Sequence, residues 1–271
     1  MLSDAEFVFV AHELKARTGA ALTREMSLPA SQRLSPLARR EGFASVSEFL
    51  NAARIKQDEK IWSSIADALA HTETRFFRDK PVFERLRTEI LPDLMARRGG
   101  SVRIWSAGCA TGQEAYSLAM MCEDLRHEGA GEAEIVATDM SERLLDKARS
   151  GLYTQFEVQR GLPIRKLIAH FEKVGDLWRI SDRLRAHVRF EPHNLLHEPA
   201  AFGSFDIVLC RNVVNAFEPA TRAAALERIA SVMERDGVLI MGAGEAAPDT
   251  AAFSGEGGAY TRNADWAREA A

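Results

Sequence analysis

The stretch that decides the fold is residues 101–120, which read SVRIWSAGCATGQEAYSLAM. An apolar run ends at Gly108, a glycine-containing turn follows to Gly112, and a helical pattern begins at Glu114. Glycines let the backbone turn sharply between a strand and a helix, and they let a ligand approach the main chain. The stretch is therefore typical of the first strand, turn and helix of a nucleotide-binding α/β domain, although a plain tight turn has the same glycines.

The same alternation of apolar runs and helical patterns continues toward residue 244. Strands alternating with helices of about ten or more residues predict βαβ units and a parallel sheet that is covered on both faces. Such sheets bind ligands at the carboxyl ends of their strands, where the chain order reverses. The predicted strands are AEIVATD (133–139), the start of VRFEPHNLL (188–196), FDIVLC (205–210) and GVLIMGAG (237–244), and the predicted helices are SERLLDKARSG (141–151) and PATRAAALERIASVMERDG (219–237).

Residues 4–71 lack a repeated strand pattern and predict a small helical bundle. Ser3-Asp4 can cap a helix that continues to Arg17, and Gly19 is expected to end it. The division into domains is expected at residues 72 and 73. Further helices are predicted over 29–42, 45–53 and 58–70.

Composition excludes several classes of protein. The 271 residues carry a net charge of −4, which argues against a general nucleic-acid binder. No apolar run approaches the roughly 18 residues that span a bilayer, and the N-terminus lacks the features of a signal peptide. The three cysteines have no paired spacing, so neither a disulfide nor a metal site is expected. A cytoplasmic protein without membrane insertion is expected.

Two acidic residues follow the first two predicted strands. Glu114 opens a helix, where an acid would repel a pyrophosphate but suits a cationic ligand such as a sulfonium with an amino group. Asp139 directly follows the second strand, where a carboxylate can accept both hydroxyls of a ribose. Its alternative role is to cap the next helix, but Ser141 could do that instead.

Two amides follow the next two strands. In both Asn194-Leu195 and Arg211-Asn212 the amide could bind an adenine edge, and Leu195 could pack against the base. Each amide alone is more often a residue that caps a loop. Four polar loops at four successive strand ends nevertheless predict a nucleotide pocket.

At this point the motifs resemble those of the chemotaxis receptor methyltransferases, the CheR family. They occur in the family's order between about residues 72 and 245, and the helical part is similar more loosely. The matching segments are HTETRFFRD (71–79), RIWSAGCATGQEAYSLAM (103–120), ATDMSERLLDKARSGLY (137–153), RGLP (160–163), FEPHNLL (190–196) and FDIVLCRN (205–212), with KARTGAALT (15–23) and QRLSPLARREG (32–42) in the helical part.

The resemblance implies a fold and a reaction. The fold would be a class I, Rossmann-like S-adenosylmethionine methyltransferase domain over 73–271, preceded by a small all-helical domain over 1–72, with a small antiparallel insert at 170–190. The reaction would move a methyl group from S-adenosylmethionine to glutamates of chemoreceptor cytoplasmic domains, giving glutamyl methyl esters and S-adenosylhomocysteine. A glutamate is already ionised at neutral pH, because its reference pKa is about 4.3, so no general base is needed.

The resemblance also implies roles for single residues. Arg78 would lie near the cofactor's carboxylate and the transferred methyl group, which makes it the catalytic candidate; a salt bridge to Asp79 is the alternative. The neighbouring Phe76 and Phe77 would be lid or core residues. Cofactor binding would involve Thr74, Arg78, Gly108, Glu114 (amino group), Asp139 (ribose), Asn194, Leu195, Asn212 and Val213, and receptor docking would involve Arg33, Arg39 and Arg40, whose alternative is a solvated helix face.

Two residues and one short segment depart from the family pattern. Ala216 stands where the family has a tyrosine, Asn215 replaces an apolar residue, and Gly242–Glu245 reads GAGE instead of ending in histidine-serine-glutamate. An alternative function follows, in which a degenerate relative binds S-adenosylmethionine or S-adenosylhomocysteine as a regulatory module. Methylation of another protein or a small molecule is a third possibility. Val174–Leu177 is short with one glycine, so tight binding of the receptor's C-terminal pentapeptide is not expected.

Overall fold

The structure, a computed structural model, describes residues 1–70 and 72–266. Internal contacts divide the described chain into two units. The first contains residues 1–70 together with Ala216–Arg222, and the second contains residues 72–215 and 223–266. His71, the first residue of the HTETRFFRD motif, and residues 267–271 lie outside the described residues. The domain division at residues 72 and 73 stays a prediction.

The first helix of the first unit forms where its capping residues predict. Helix α1 spans Asp4–Thr18, and the Glu6 main-chain N–H donates to Ser3 Oγ while the Ser3 N–H donates to the Glu6 carboxylate. This reciprocal capping box satisfies two amides that the first turn leaves unpaired. Gly19 ends the helix in the left-handed conformation, as expected.

Three further helices complete the first unit's described helical core. They are α2 (Ser27–Arg40), α3 (Val46–Lys56) and α4 (Glu59–Leu69), preceded by a 3₁₀ turn at Arg24–Met26. The sequence placed the start of α2 at Pro29, but the helix begins at Ser27. A proline is tolerated in the first turn of a helix, so Pro29 does not mark its start. The returning segment Ala216–Arg222 is joined to this unit by the hydrogen bond from the Ala21 N–H to the Ala216 carbonyl (2.7 Å).

The second unit contains a seven-stranded sheet and a three-stranded sheet. The strands are β1 (Ser101–Ala107), β2 (Glu132–Asp139), β3 (Leu152–Thr154), β4 (Phe171–Val174), β5 (Leu177–Ile180), β6 (Val188–Pro192), β7 (Phe205–Leu209), β8 (Met233–Ile240), β9 (Phe253–Glu256) and β10 (Ala259–Arg262). The large sheet has the order β6-β2-β1-β7-β8-β10-β9. Its first five strands are parallel, and β10 and β9 add antiparallel pairs at one edge.

The order of the parallel strands reverses between β1 and β7. From β1 the chain moves outward through β2 to β6, and it then returns to add β7 and β8 on the other side of β1. This is the switch point at which α/β sheets leave a crevice at the carboxyl ends of the strands. The predicted architecture, an α/β fold with a mainly parallel sheet, is confirmed.

Helices connect these strands, and the three that the sequence predicts, after β1, after β2 and before β8, are present, the last of them shorter than predicted. They are α5 (Lys80–Arg85), a π-helical turn (Leu86–Ile90), α6 (Leu91–Arg97), α7 (Gln113–His127), α8 (Glu142–Ser150), α9 (Gln155–Gln159), α10 (Ile164–His170), α11 (Asp182–Ala186) and α12 (Pro219–Ser231). The sequence extended the last helix to Gly237, which is wrong. Strand β8 begins at Met233 because Met233 pairs with Phe205 of β7.

The small antiparallel sheet is confirmed, but the bounds predicted for it, 170–190, are wrong. The sheet has the order β3-β5-β4, so it begins with Leu152–Thr154. Val188–Phe190 belongs to β6, which pairs with β2 in the large sheet. A three-residue strand has too few positions to show alternation, which is why β3 escaped the sequence pattern.

Phe76 is a core residue of the second unit. Its ring is fully buried and meets Tyr153 and Phe171 edge to face, with centroids 5.1 Å and 5.7 Å apart. Phe77 is half-buried and contacts the ring of Phe83 at 5.3 Å. Of the two roles that the sequence left open for Phe76, lid or core, the structure shows the core role. Within the described ranges, no helix is both long enough and apolar enough to cross a membrane.

Candidate cofactor site

The loop after β1 is fastened to the end of β2. The main-chain N–H groups of Gly108 and Cys109 both donate to the Thr138 carbonyl, at 2.8 Å and 2.9 Å. The next N–H, of Ala110, donates to Asp139 Oδ2 at 2.9 Å. The glycine loop and Asp139, which were predicted to share one pocket, are therefore in direct contact.

Asp139 is held by two main-chain donors. Besides Ala110, the N–H of Ser141 donates to Asp139 Oδ1 at 3.0 Å. The N-cap of α8 is Ser141, whose hydroxyl accepts the Leu144 N–H at 3.3 Å. Capping is thus not the role of Asp139, and its carboxylate is fixed at the carboxyl end of β2. Each carboxylate oxygen can accept more than one hydrogen bond, so this anchoring is compatible with binding a ribose.

Gly108 brings the loops after β1 and β7 together. It has a φ of +77°, and a Cβ at this position would lie only 2.4 Å from Cγ2 of Val213. Glycine is required here by the left-handed backbone and by the close approach of Val213. The sequence gave two reasons for the glycines of this loop, a sharp turn and the approach of a ligand. The structure has the turn at Gly108, and the close neighbour there is a side chain of the protein.

Glu114 is the first of two acids joined by a buried arginine. Its Oε1 accepts a hydrogen bond from Ser106 Oγ at 2.8 Å, and its Oε2 accepts one from Arg211 Nη1 at 2.9 Å. Arg211 Nη2 donates to Asp79 Oδ2 at 2.6 Å and to the Arg78 carbonyl at 3.0 Å. Only 1% of the Arg211 side chain is exposed. The arginine thereby connects the helix after β1 to the loop that contains Arg78.

The sequence analysis gave Arg211 no role, and it considered Asp79 only as an alternative salt-bridge partner of Arg78. The signal was available, because an arginine that follows a mostly apolar strand is almost never buried without an acidic partner. Asp79 and Glu114 were two acids in neighbouring motifs. Which of them would pair with Arg211 depends on the packing of loops that lie 97 and 132 residues away in sequence.

Arg78 lies half-buried on the loop before α5, with Thr74 on the same loop. Its Nη1 donates to the Glu73 carbonyl at 2.9 Å. Among the ion pairs of the described residues, Asp79 pairs with Arg211 and, at 3.9 Å, with Arg75. The alternative of an Arg78–Asp79 salt bridge is therefore not what the structure has.

The loop after β6 is also joined to β2. The His193 N–H donates to the Asp139 carbonyl at 3.0 Å. Asn194 follows, and its Oδ1 accepts the Leu196 N–H at 3.0 Å, while the Leu195 side chain is buried. Asn194 and Leu195 therefore lie beside Asp139, at the same end of the sheet.

Asn212 is held by an acid from the end of β8. The Asn212 N–H donates to Glu245 Oε2 at 3.0 Å, and the Gly242 N–H donates to the same oxygen. A Cβ on Gly242 would lie 2.8 Å from Asn212 Nδ2 and 2.7 Å from Glu245 Oε2. Gly242 thus lies where any side chain would collide unless its neighbours moved, and Glu245 connects two loops. The departures from the histidine-serine-glutamate ending fall at the next two residues, Ala243 and Gly244.

Similarity to known proteins agrees with this arrangement. The family model for the CheR methyltransferase, S-adenosylmethionine-binding domain, matches residues 72–259. The chain belongs to the CheR methyltransferase family. It is 33% identical to chemotaxis protein methyltransferase Cher2 of Pseudomonas putida over 86% of this chain and 87% of that one. It is also 33% identical to chemotaxis protein methyltransferase 1 of Pseudomonas aeruginosa (90% and 91% covered) and 32% identical to the chemotaxis protein methyltransferase of Escherichia coli (90% and 85%).

Membership of the CheR family makes the chain an S-adenosylmethionine-dependent methyltransferase, and the fold class predicted from the sequence is confirmed. The residues at the carboxyl edge of its sheet fit the cofactor's chemistry. Glu114 is an acid that suits a cationic amino group, and Asp139 is an acid that suits ribose hydroxyls. The apolar side chains of Leu195 and Val213 belong to the same edge of the sheet. Burial, and after it the charges of Asp139 and Glu114, raises the pKa of the Cys109 thiol well above its usual range. Cys109 is therefore not a thiolate nucleophile.

Backbone strain in this CheR-family chain is concentrated at the same edge. Four non-glycine residues of the second unit have a left-handed φ, namely Phe77 (47°), Asp79 (61°), Ala110 (48°) and Asn212 (60°). Such conformations cost of order 1 kcal/mol or more each and persist only where surrounding contacts impose them. All four belong to the loops that hold the candidate cofactor residues, so the contacts described above fix an unusual loop geometry.

The three predicted docking arginines differ in their contacts within the first unit. Arg33 Nη1 donates to the carbonyls of Leu69 and Ala70, at 3.2 Å and 3.4 Å, and so closes the C-terminal end of α4. Arg40 Nε lies 3.3 Å from Glu41 Oε1, and Arg39 is exposed. No cluster of three or more His, Cys, Asp or Glu side chains able to hold a metal occurs in the part of the chain that the structure describes.

Proposed function

We propose that this CheR-family chain methylates glutamate side chains on the cytoplasmic helical bundle of chemoreceptors, and that it does so in the cytoplasm. The observation that carries the proposal is the hydrogen-bonded set of loops at the switch point of the sheet, in which Glu114 and Asp139 present carboxylates toward one end of the sheet. Relatives that share about a third of its residues over most of their length have names stating that they are chemotaxis protein methyltransferases.

The cofactor, when bound, supplies a methyl group on a positively charged sulfur. In this proposal Glu114 holds the amino group of the methionine portion, and Asp139 accepts hydrogen bonds from the ribose hydroxyls. Asn194 and Leu195, with Asn212 and Val213, border the adenine and the methionine portion. Thr74 and Arg78 contact the cofactor from the loop before α5, and Gly108 gives the loop after β1 the turn that borders the site.

The chain needs to orient the acceptor rather than to take a proton from it. A glutamate acceptor is ionised at neutral pH, so no proton has to leave it. Arg78 offers a guanidinium that can orient the incoming carboxylate, and the loop carrying it is fixed through Arg211. Exclusion of water and alignment of the reactants then supply most of the acceleration.

The experiment that tests this function is transfer of a radiolabelled methyl group to a receptor cytoplasmic fragment. We expect label in the fragment that is released by mild alkali, as a methyl ester would be, and no label when the acceptor glutamates are changed to alanine. Binding of S-adenosylhomocysteine without any transfer would contradict the proposal and would assign the regulatory role instead. The first substitution to test for a gain of methyl transfer would then be Ala216→Tyr, because the family has a tyrosine at this position.

Receptor docking is proposed for the exposed end of α2. Arg39→Glu and Arg40→Glu should each raise the KM for the receptor fragment and leave S-adenosylhomocysteine affinity unchanged, because they alter charge steering only. Lys60→Glu, a charge reversal at another exposed position, on α4, is the matched control and should alter neither. Equal KM values for Arg39→Glu and Lys60→Glu would refute a docking role for Arg39.

The small sheet is proposed not to bind the receptor's C-terminal pentapeptide tightly. Its turn between β4 and β5 contains only Gly175 and Asp176. A calorimetric titration of the pentapeptide into the protein should give no measurable heat of binding at micromolar concentrations. A micromolar complex would contradict this part of the proposal without affecting the methylation of receptors.

A further inference from the structure

We propose that Arg211 is a positioning residue for the amino-acid half of the cofactor, and that it acts by holding Glu114 and the loop of residues 72–79 in one fixed arrangement. The inference rests on the proposed cofactor site and deepens it. Arg211 is not expected to touch the cofactor. Its effect passes through the two acids and the carbonyl that it binds.

The geometry of the contacts requires a guanidinium. Arg211 Nη1 binds Glu114 Oε2, and Nη2 binds both Asp79 Oδ2 and the Arg78 carbonyl, at distances between 2.6 Å and 3.0 Å. A planar fork can serve acceptors on two sides at once, whereas a lysine ammonium is a point charge on a flexible stem. With its side chain 1% exposed, Arg211 has little room to rearrange.

Arg211 shares its positive charge between two acids, Glu114 and Asp79. Asp79 has a second cation, Arg75, at 3.9 Å, whereas among the ion pairs of the described residues Glu114 has only Arg211. An ammonium group of the ligand would be the second cation for Glu114. Without the arginine, two carboxylates would face each other in a buried setting, which disfavours keeping both ionised.

The loop that Arg211 binds is strained. Phe77 and Asp79 both have a left-handed φ. Arg211 donates to the carbonyl of Arg78, which lies between them, and to the carboxylate of Asp79. Left-handed residues other than glycine revert when the contacts that impose them are lost. Loss of the fork should therefore release the loop that carries Thr74 and Arg78.

The adenosine half of the proposed site is fixed by different contacts. Asp139 is held by the main chain of Ala110 and Ser141, and Asn194 by its own turn. None of these contacts includes Arg211. A defect at Arg211 should consequently affect ligands with an amino-acid half more than ligands that lack one.

The chain offers a matched control in Arg98. Its guanidinium also lies between two acids, with Nε donating to Asp206 Oδ1 at 2.6 Å and Nη2 bound to Asp236. Asp206 lies near the start of β7 and Asp236 in the first half of β8, so this cluster is at the amino ends of the strands. Arg98→Lys therefore reproduces the chemical change of Arg211→Lys away from the proposed site.

The test compares S-adenosylhomocysteine with methylthioadenosine, which has the same adenosine but no amino-acid group. Dissociation constants are measured by calorimetry, with the weaker ligand at millimolar concentration, and melting temperatures are recorded for each protein. Arg211→Lys should weaken S-adenosylhomocysteine binding about tenfold or more, as expected when a buried hydrogen-bonding group is left unmatched. Methylthioadenosine binding should change by less than about twofold. Arg98→Lys should lower the melting temperature and leave both affinities unchanged.

Each other outcome has a distinct meaning. Equal weakening of both ligands by Arg211→Lys, or no weakening of either, would overturn the positioning role. Should Arg211→Lys fail to fold, Asp79→Asn replaces it, since it removes the loop's charged contact and keeps the Glu114 contact. It should show the same preference for weakening S-adenosylhomocysteine, and equal weakening would again overturn the role. If the unaltered protein bound neither ligand, the proposed cofactor site itself would be wrong.

Discussion

Two arginine-centred clusters in the second unit have the same chemistry and opposite positions along the parallel strands. The carboxyl-end cluster is Arg211 with Glu114 and Asp79, and the amino-end cluster is Arg98 with Asp206 and Asp236. Arg211 is 1% exposed, whereas Arg98 is 27% exposed.

What each cluster joins is different. At the amino end, Asp206 also accepts the Arg103 N–H at 2.8 Å, so that cluster connects the starts of β1 and β7, which are regular strands. At the carboxyl end, Arg211 connects loops, and Asp79 has a left-handed backbone. Ligand sites in parallel sheets lie at the carboxyl ends. The comparison therefore teaches that the same arrangement of ions stabilises the sheet at one end and shapes a site at the other.

The largest effect that sharpens this comparison is expected from Asp206→Ala. Removing the acid leaves Arg98 and the Arg103 N–H without their shared acceptor. Because Arg98 is 27% exposed and keeps Asp236, the loss should be below that of a fully buried pair, about 2–3 kcal/mol of unfolding free energy. Urea unfolding followed by tryptophan fluorescence should record this loss. S-adenosylhomocysteine affinity, measured where the variant is fully folded, should be unchanged. Weaker binding would mean that the amino-end cluster also shapes the site.

The next effect concerns the carboxyl end, where Asp139→Ala should weaken cofactor binding. Loss of an acceptor for the ribose hydroxyls is expected to cost about 1–3 kcal/mol of binding free energy. Because the ribose is common to both ligands, S-adenosylhomocysteine and methylthioadenosine should weaken together in calorimetry. This contrasts with the ligand-selective loss expected for Arg211→Lys. An unchanged affinity would count against the whole pocket.

A control for Asp139 is its neighbour Ser141, which caps α8. Ser141→Ala should lower the unfolding free energy by about 1 kcal/mol, the usual cost of losing an N-cap. In this variant the main-chain N–H at position 141 can still donate to Asp139, because that hydrogen bond does not use the side chain. Cofactor affinity should therefore be unaffected in the same titration. A loss equal to that of Asp139→Ala would show that the loop's conformation, not the ribose acceptor, sets the affinity.

Much of the fold could be predicted from the sequence, because periodicity is a local property. The capping box of α1 at Ser3, the glycine turn after β1, and the alternation of strands and helices are all written in neighbouring residues. Errors arose where pairing between distant segments decided the structure. Met233 is a strand residue because it pairs with Phe205, and Leu152 is one because it pairs with Arg179.

The site could be predicted in part for the same reason. Asp139 follows an apolar strand, so its place at the carboxyl edge of a parallel sheet follows from the pattern alone. Arg211, Asp79 and Glu245 were not predicted to be contacts of the site, because their partners lie on other loops. Ligand roles for Asp139 and the other candidates stay predictions, whereas their mutual contacts are features of the structure.

The smallest expected effect is the pH-dependent stability that Asp236 of the amino-end cluster contributes. The Arg98 guanidinium, bound to the Asp236 carboxylate, lowers the pKa of that acid from its ordinary value of 3.8, and partial burial opposes the shift. An acid whose pKa is lower in the folded state stabilises the fold above the unfolded pKa, and that stabilisation is lost as the pH falls through the folded value. Asp236→Asn should thus cost stability near neutral pH and progressively less below pH 3.8.

The magnitude is limited because the Asp236 side chain is 42% exposed, so we expect at most about 1 kcal/mol near neutral pH, and less in about 1 M salt. The measurement is the difference in urea midpoint between the variant and the unaltered protein, from about pH 6 to about pH 3. A difference that stays constant with pH would mean that asparagine acts through lost packing and not through charge. The amino-end cluster would then resemble the carboxyl-end cluster less closely than its geometry suggests, and Arg98→Lys would lose its value as the matched control for Arg211→Lys.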